Sequence, residues 1–278
     1  MQTATSLKDT IKQTVDGKLV PAHDEFGHHY RFVETDCVVD SVTTKMIIDK
    51  PHLAKWAGRM AAQYVIDHKD QIISDPQSLV KYASLAHEET RDSAGDIGTL
   101  AHDRVEQYVK SWLETGVKPT DVLTFCDVFD VPQVKSAVRA SERYFNDYPN
   151  IEPIATELLV GDEKLGVAGT LDLLALEHDK DGKPFGSKVC LIDWKTSNAV
   201  NDDYAIQVAI YGELFKKMTG IKVDKFYIVK MSKKDGTYEL HEVTQPRRAV
   251  AAGKGVFKAY DWFQNKNKNK LKKIRVWQ

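Results

Sequence analysis

The sequence contains little cysteine, and this scarcity excludes several kinds of cross-linked or metal-bearing protein. Its 278 residues include only Cys37, Cys126 and Cys190, and no two of them form a C-x-x-C pair. Three scattered cysteines cannot build a multi-disulfide framework, a cysteine zinc ribbon or a four-cysteine iron–sulfur centre. We therefore expect no iron–sulfur cluster and a reducing, intracellular compartment.

Long apolar runs and an excess of one charge are also missing. No stretch of about 18 apolar residues occurs, so no transmembrane helix is expected. The first residues, MQTATSLKDTIKQT, lack the apolar core of a secretory signal and the arginines of a transit peptide. The chain has 39 Lys and Arg against 40 Asp and Glu, a formal net charge of -1. A uniformly basic coat protein for nucleic acid is excluded, a local basic patch is not, and we expect a cytoplasmic protein without membrane contact.

Hydrophobic periodicity predicts a helical first half and a strand-rich second half. Residues 41–150 are mainly helical, after one or two short strands within 24–44. The predicted helices of this part are 53–68, 92–114 and 132–148. Residues 151–245 form the sheet core, with one helix over 203–219 and strands at 154–160, 167–176, 189–195, 223–232 and 237–243. Residues 246–278 comprise a last helix, to about 265, and a basic tail. We predict one α/β domain over residues 1–278, with a small central mixed sheet flanked by helices.

Charged residues inside two apolar strands indicate a site. Asp193 and Lys195 share one face at the end of VCLIDWK, with Trp194 on the other face. Asp172 stands alone in VAGTLDLLAL. A buried charge is costly unless it is paired or bound to a metal. If the two strands are neighbours, Asp172 and Asp193 would share a hard cation such as Mg²⁺ or Mn²⁺, with Lys195 beside it. Phosphodiester hydrolysis uses such an arrangement.

These residues occur in the order typical of the PD-(D/E)XK nuclease superfamily, which the sequence resembles over about residues 41–230. Within it the sequence is most similar to the RecB-like exonuclease branch, which includes phage exonucleases and the mitochondrial genome maintenance exonuclease. The iron–sulfur cysteines of several relatives are absent, and Leu171 replaces the proline of the motif name. The similar segments are SVTT…LAKW (41–56), GTLAHDRVEQYV (98–109), ATELLV (155–160) with GVAGTLDLL (166–174), LIDWK (191–195) and QVAIY (207–211).

The resemblance implies a restriction-endonuclease-like core and roles for four residues. Asp172 and Asp193 would bind Mg²⁺ or Mn²⁺, and His102 would complete the set of ligands. Lys195 would position or activate the water and stabilise the charged transition state. Two simpler interpretations remain open: a salt bridge between Asp193 and Lys195 at a strand end, and a hydrogen bond from His102 to Glu106 on the same helix.

Three further residues are candidates for the site. Glu157 lies in an apolar strand and is a third acidic participant, a salt-bridge partner or an exposed residue. The resemblance implies that Gln207 and Tyr211, one helical turn apart, contact DNA or brace the site. An amphipathic helix shows the same spacing without such a role.

Basic residues near the C-terminus are candidates for DNA binding. Arg247, Arg248, Lys254 and Lys258 lie on the last predicted helix. The tail QNKNKNKLKKIRVWQ adds further cations, among them Lys270, Lys272 and Lys273. The alternative is a solvated tail without a ligand.

The function implied by the resemblance is metal-dependent hydrolysis of DNA, from a single-stranded end, in replication, recombination or repair. A phage-encoded enzyme acting in the host cytoplasm fits this description. Two alternatives remain open, a structure-specific endonuclease on the same core and a catalytically inactive DNA-binding module. Cleavage polarity, DNA or RNA preference and oligomeric state are not determined by the sequence.

Overall fold

The computed structural model describes residues 3–24, 27–46, 51–179 and 187–264. The helices of these residues are α1 (Ala4–Thr14), α2 (Val42–Lys45), α3 (Pro51–Asp67), α4 (Gln71–Ser74), α5 (Pro76–Thr115), α6 (Pro132–Asp147), α7 (Asp202–Thr219) and α8 (Pro246–Gln264). A 3₁₀ turn covers Val122–Phe125. The strands are β1 (Leu19–Asp24), β2 (Gly27–Phe32), β3 (Val38–Ser41), β4 (Ile151–Asp162), β5 (Val167–Glu177), β6 (Lys188–Lys195), β7 (Lys225–Met231) and β8 (Tyr238–Glu242).

The predicted helices and strands are present, and the first half contains further elements that were not predicted, among them α1 and β1. Helix α1 was not predicted, because an amphipathic helix of three turns with Leu7 and Ile11 as its buried residues leaves a weak periodic signal. Helix α5 begins at Pro76 instead of residue 92. The carboxylate of Asp75 caps its first turn by accepting a hydrogen bond from the N–H of Ser78 at 3.2 Å. Most of residues 76–91 are exposed, and among the described side chains only Leu79 and Ala83 are buried, so the apolar stripe that would have indicated the longer helix is short.

The sheet is mixed, as predicted, and larger than the strand-rich half alone would form. Its order is β1-β2-β3-β5-β6-β7-β8, with β4 paired to the other side of β5. Pairs β3–β5 and β6–β7 are parallel and the others antiparallel. On one side β5 pairs first with β3, at Val167 and Ala168, and then with β6, from Leu173 onward. The sheet therefore forks at the middle of β5.

Helices cover both faces of the sheet. Leu191 points into a core formed with α1, α7 and α8, which includes Phe215 and Phe257. Its neighbour Ile192 points into the opposite core, formed with α5 and α6. Because each fully buried large side chain contributes roughly 1.5–3 kcal/mol, these two cores fix the helices against the sheet. Among the described residues, no helix combines the length and hydrophobicity needed to cross a bilayer.

Candidate active site

The C-terminal end of β6 supplies an ion pair at the fork of the sheet. Asp193 is 1% exposed and lies with its Oδ2 atom 2.5 Å from the Nζ of Lys195. Trp194 points the other way, onto Tyr144 and Phe145. Burial raises the pKa of Asp193 to about 6, against the opposing charge of Lys195. Burial alone would lower the pKa of Lys195, but the two neighbouring carboxylates outweigh it, so the amine stays protonated.

Asp172 lies on β5 where the pairing changes from β3 to β6. Its Oδ2 accepts a hydrogen bond from the backbone N–H of Trp194 at 2.8 Å. This bond joins the two strands beside Asp193 and holds the carboxylate on the same side of the sheet. Burial raises the pKa of Asp172, although Lys195 and the Trp194 N–H oppose the rise.

His102 reaches the two carboxylates from α5, which crosses the sheet above them. Its Nδ1 lies 3.6 Å from Asp172 Oδ2. The helix approaches closely because Gly98, one turn earlier, has no side chain: a Cβ there would lie 3.0 Å from the Oγ1 of Thr196. Burial and the charge of Lys195 lower the pKa of His102 to about 4. The imidazole is therefore neutral at pH 7, which is the form that binds metals.

Glu157 faces the same cluster from β4. The pairs Thr156–Leu173 and Leu158–Leu171 place it across from Asp172. Its φ of 50° lies in the left-handed region, which non-glycine residues rarely adopt outside strained or functional positions. Burial and the negative charge of Asp172 raise the pKa of Glu157 to about 8. Glu157 thus holds a proton at neutral pH in the metal-free protein.

These donors fit a hard divalent cation by their chemistry. Asp193 Oδ2 is buried and accepts no hydrogen bond within the described residues, because its contact with Lys195 is an ion pair without hydrogen-bond geometry. Carboxylates are the preferred protein ligands of Mg²⁺ and Mn²⁺, and a neutral imidazole is a common ligand of transition metals. In the described part of the chain no three such side chains already have the spacing of a metal centre. Without a bound metal, the ammonium of Lys195 neutralises the carboxylate of Asp193. A cation bound to that carboxylate would replace the ammonium as its partner.

Helix α7 packs on the face of the sheet that carries Asp193 and Lys195. The Nε2 of Gln207 donates a hydrogen bond to the Tyr211 hydroxyl at 3.1 Å, and Tyr211 is 4% exposed. The Tyr211 ring packs on Gly169, where a Cβ would lie 2.5 Å from Cε1. Sequence analysis missed Tyr204, whose ring centroid lies 5.0 Å from the Nζ of Lys195. Its position one turn before Gln207 is the signal that would have indicated it.

Two of the predicted basic residues, Arg247 and Arg248, lie apart from this cluster. Arg247 and Arg248 border a groove of about 630 Å³ with Lys222 and Asp224, at the start of β7. Lys195 pairs with the end of β7, so the groove is roughly 16 Å away along the strand. Lys254 pairs with Glu213 of α7 at 3.1 Å, and Lys258 is exposed. Lys270, Lys272 and Lys273 lie outside the described residues. Contact between DNA and the basic residues of α8 and of the tail stays a prediction.

Comparisons with known proteins bear on this arrangement. Residues 62–262 match the family model of the PD-(D/E)XK nuclease superfamily, a span of well over half the chain. A solved structure described as "Crystal structure of SSO0001" is similar at 18% identity, with a TM-score of 0.29, over 60% of this chain and 76% of that chain. No curated protein matches the sequence.

Proposed function

Because the chain belongs to the PD-(D/E)XK nuclease superfamily, we propose that it is a Mg²⁺- or Mn²⁺-dependent deoxyribonuclease of the RecB-like exonuclease type. Its substrate is DNA with a single-stranded end, in replication, recombination or repair inside the cell. A phage or its host is a fitting source for such an enzyme. The observation that carries the proposal is the convergence of Asp172, Asp193, Lys195 and His102 from two strands and one helix.

The chain's own groups have distinct tasks in this proposal. Asp172, Asp193 and His102 would hold the metal, which when bound supplies Lewis-acid stabilisation of the phosphate and an activated water. The protonated Nζ of Lys195 stabilises negative charge on the phosphate in the transition state. Tyr204 limits the positions that the Lys195 side chain can adopt. Gln207 and Tyr211 hold β5, and with it Asp172, in place.

The close approach of α5 supports a single strand as substrate. Gly98 lies so near Thr196 that an added Cβ would come within 3.0 Å of its Oγ1, so the helix narrows the space above the end of β6 on one side of His102. A helix lying this near the sheet leaves room for one backbone beside the carboxylates more readily than for two. An unpaired end is therefore the expected substrate.

The test uses single-stranded oligonucleotides labelled at either end, incubated with Mg²⁺, Mn²⁺ or EDTA. The variants are Asp193→Asn and, as a matched control at the other end of the sheet, Asp224→Asn. We expect short products from one labelled end, lost in EDTA and in Asp193→Asn but kept in Asp224→Asn. Internal fragments would show that the enzyme is an endonuclease and not an exonuclease. Binding without cleavage in every metal would leave a catalytically inactive DNA-binding module.

A further inference from the structure

Helix α5 passes over three strands in succession, and cavities border it on both sides of the site. It runs from Gly98 over the end of β6, through His102 over β5, to Lys110 near Glu157 of β4. On the N-terminal side of Gly98, residues 90–97 of α5 and Lys233 of the β7–β8 turn line a cavity of about 430 Å³. After the crossing a second cavity opens along the outer edge of β4.

This second cavity, here named the outer groove, lies between α1 and the end of α5. Its volume is about 590 Å³, and its floor is formed by residues 154–159 of β4 with Ile11 and Val15 of α1. Glu157 belongs to this floor and also interacts electrostatically with Asp172, so the groove borders the candidate active site at this residue. Helix α1 precedes the segment that matches the nuclease family, which begins at residue 62.

Two lysines of α1 line the outer groove without a charge partner. Lys8 and Lys12 are exposed and form no ion pair with any residue that the structure describes. They lie one helical turn apart, where like charges repel each other. An anion between or beside them removes that repulsion. Lys110 on the opposite wall is already paired with Glu106, and the carboxylates Asp16 and Glu114 border the groove at the ends of the two helices.

The floor of the outer groove suits the bases of a nucleotide, as the lysines suit its phosphates. Strand β4 pairs only with β5 in the described part of the chain, so its outer edge presents unpaired backbone N–H and C=O groups. Such groups can form hydrogen bonds with the edges of unpaired bases. Apolar side chains of α1 and β4 lie beside them. Cations on a wall and an apolar, hydrogen-bonding floor are the two features that a single strand needs.

We propose that the outer groove binds the strand on one side of the cleaved bond, with Lys8 and Lys12 contacting two of its phosphates. The occupant is single-stranded polynucleotide, continuous with the segment at Asp172 and Asp193. The proposal rests on the proposed function, because it takes the site at these carboxylates as the point of cleavage. It gives α1 a role in substrate binding that lies outside the family-matched segment.

The test measures binding of a fluorescent single-stranded DNA to the full chain in EDTA by anisotropy, over a series of salt concentrations. Lys8→Ala/Lys12→Ala is compared with Lys69→Ala/Lys188→Ala, which removes the same charge from exposed lysines outside both the outer groove and the groove at Arg247 and Arg248. Losing two phosphate contacts lowers the salt slope by about 1.4 and the affinity by about tenfold. The control variant keeps the wild-type slope. Equal effects in both variants, or none in either, would overturn the proposal.

A photoreactive side chain introduced in place of Lys12, or in place of Lys188 as control, reports the position of the strand. Cross-linking to labelled DNA from position 12 alone is expected, and cross-linking from neither or from both equally would contradict the groove. The two proposals fail separately. If the protein cleaves DNA but the Lys8 and Lys12 substitutions do not change DNA binding, the groove proposal is wrong and the nuclease proposal stands. If position 12 cross-links to DNA but the protein cleaves no DNA, the nuclease proposal is wrong and the groove still binds a single strand.

Discussion

The protonated state of Glu157 makes a testable contribution to stability. In the metal-free protein its pKa is raised from 4.5 to about 8, because it is buried and lies near Asp172. The other charges that act on it are Glu106 and Lys110 of α5 and Asp193 of β6. Between these two pKa values the unfolded chain has lost the proton and the folded chain retains it. Stability therefore falls as the pH rises through this window.

The size of the effect follows from the width of the window. Each pH unit inside it costs the folded state about 1.4 kcal/mol. From about pH 5 to about pH 7 the loss is about 2–3 kcal/mol, since ionisation of the unfolded chain is incomplete at the lower pH. Glu157→Gln keeps the size and the backbone of the residue but removes the proton equilibrium. The wild type should therefore lose about 2 kcal/mol more than this variant over the same pH step.

Urea unfolding in EDTA at the two pH values measures this difference. The matched control is Glu114→Gln, an exposed carboxylate on the same groove, which should follow the wild type. If Glu157→Gln and the wild type lose the same free energy between the two pH values, Glu157 is not held protonated in the folded protein. Its place in the acidic cluster would then have to be abandoned.

Three other predictions follow from the same contacts. Gly169→Ala places a Cβ 2.5 Å from the Tyr211 ring and should cost about 1–3 kcal/mol, seen as a lower melting temperature; Gly58→Ala, where a Cβ meets nothing within 4 Å, should not lower it. Mg²⁺ or Mn²⁺ should raise the melting temperature of the wild type but not of Asp172→Asn, and an equal rise in both would place the metal elsewhere. Deleting residues 265–278 should weaken DNA binding and flatten its salt dependence; an unchanged slope would show that the tail does not contact DNA.

The chemistry of the site was readable from local patterns. Asp193 and Lys195 share a face because side chains alternate along a strand, and the structure places them in contact. Asp172 was conspicuous because an isolated carboxylate in an apolar strand needs a partner. The mixed sheet with flanking helices also follows from periodicity, since helices and strands each bury one stripe or face. These inferences required only neighbours in the sequence.

Other features depended on how distant segments pack. The 40-residue length of α5 was not predicted because residues 76–91 are exposed on most sides and bury only a short apolar stripe at Leu79 and Ala83. A run of basic residues on α8 says nothing about which end of the sheet the helix begins at, and Arg247 and Arg248 lie at the end away from Asp193. The left-handed backbone of Glu157 arises from the pairing of β4 with β5, which no local pattern encodes.

Local patterns were enough to indicate the types of most elements, the residues proposed to bind a divalent cation and the superfamily. The element types follow from local periodicity, the candidate ligands from charge placed within apolar strands, and the superfamily from resemblance to its ordered motifs. The change of partners of β5 at Asp172, the approach of a neutral His102 to it, and the two lysines of α1 in the groove that Glu157 lines follow only from the packing of distant segments. The physical reason is that burial and neighbouring charge set the protonation of these groups, and both arise only when distant segments meet.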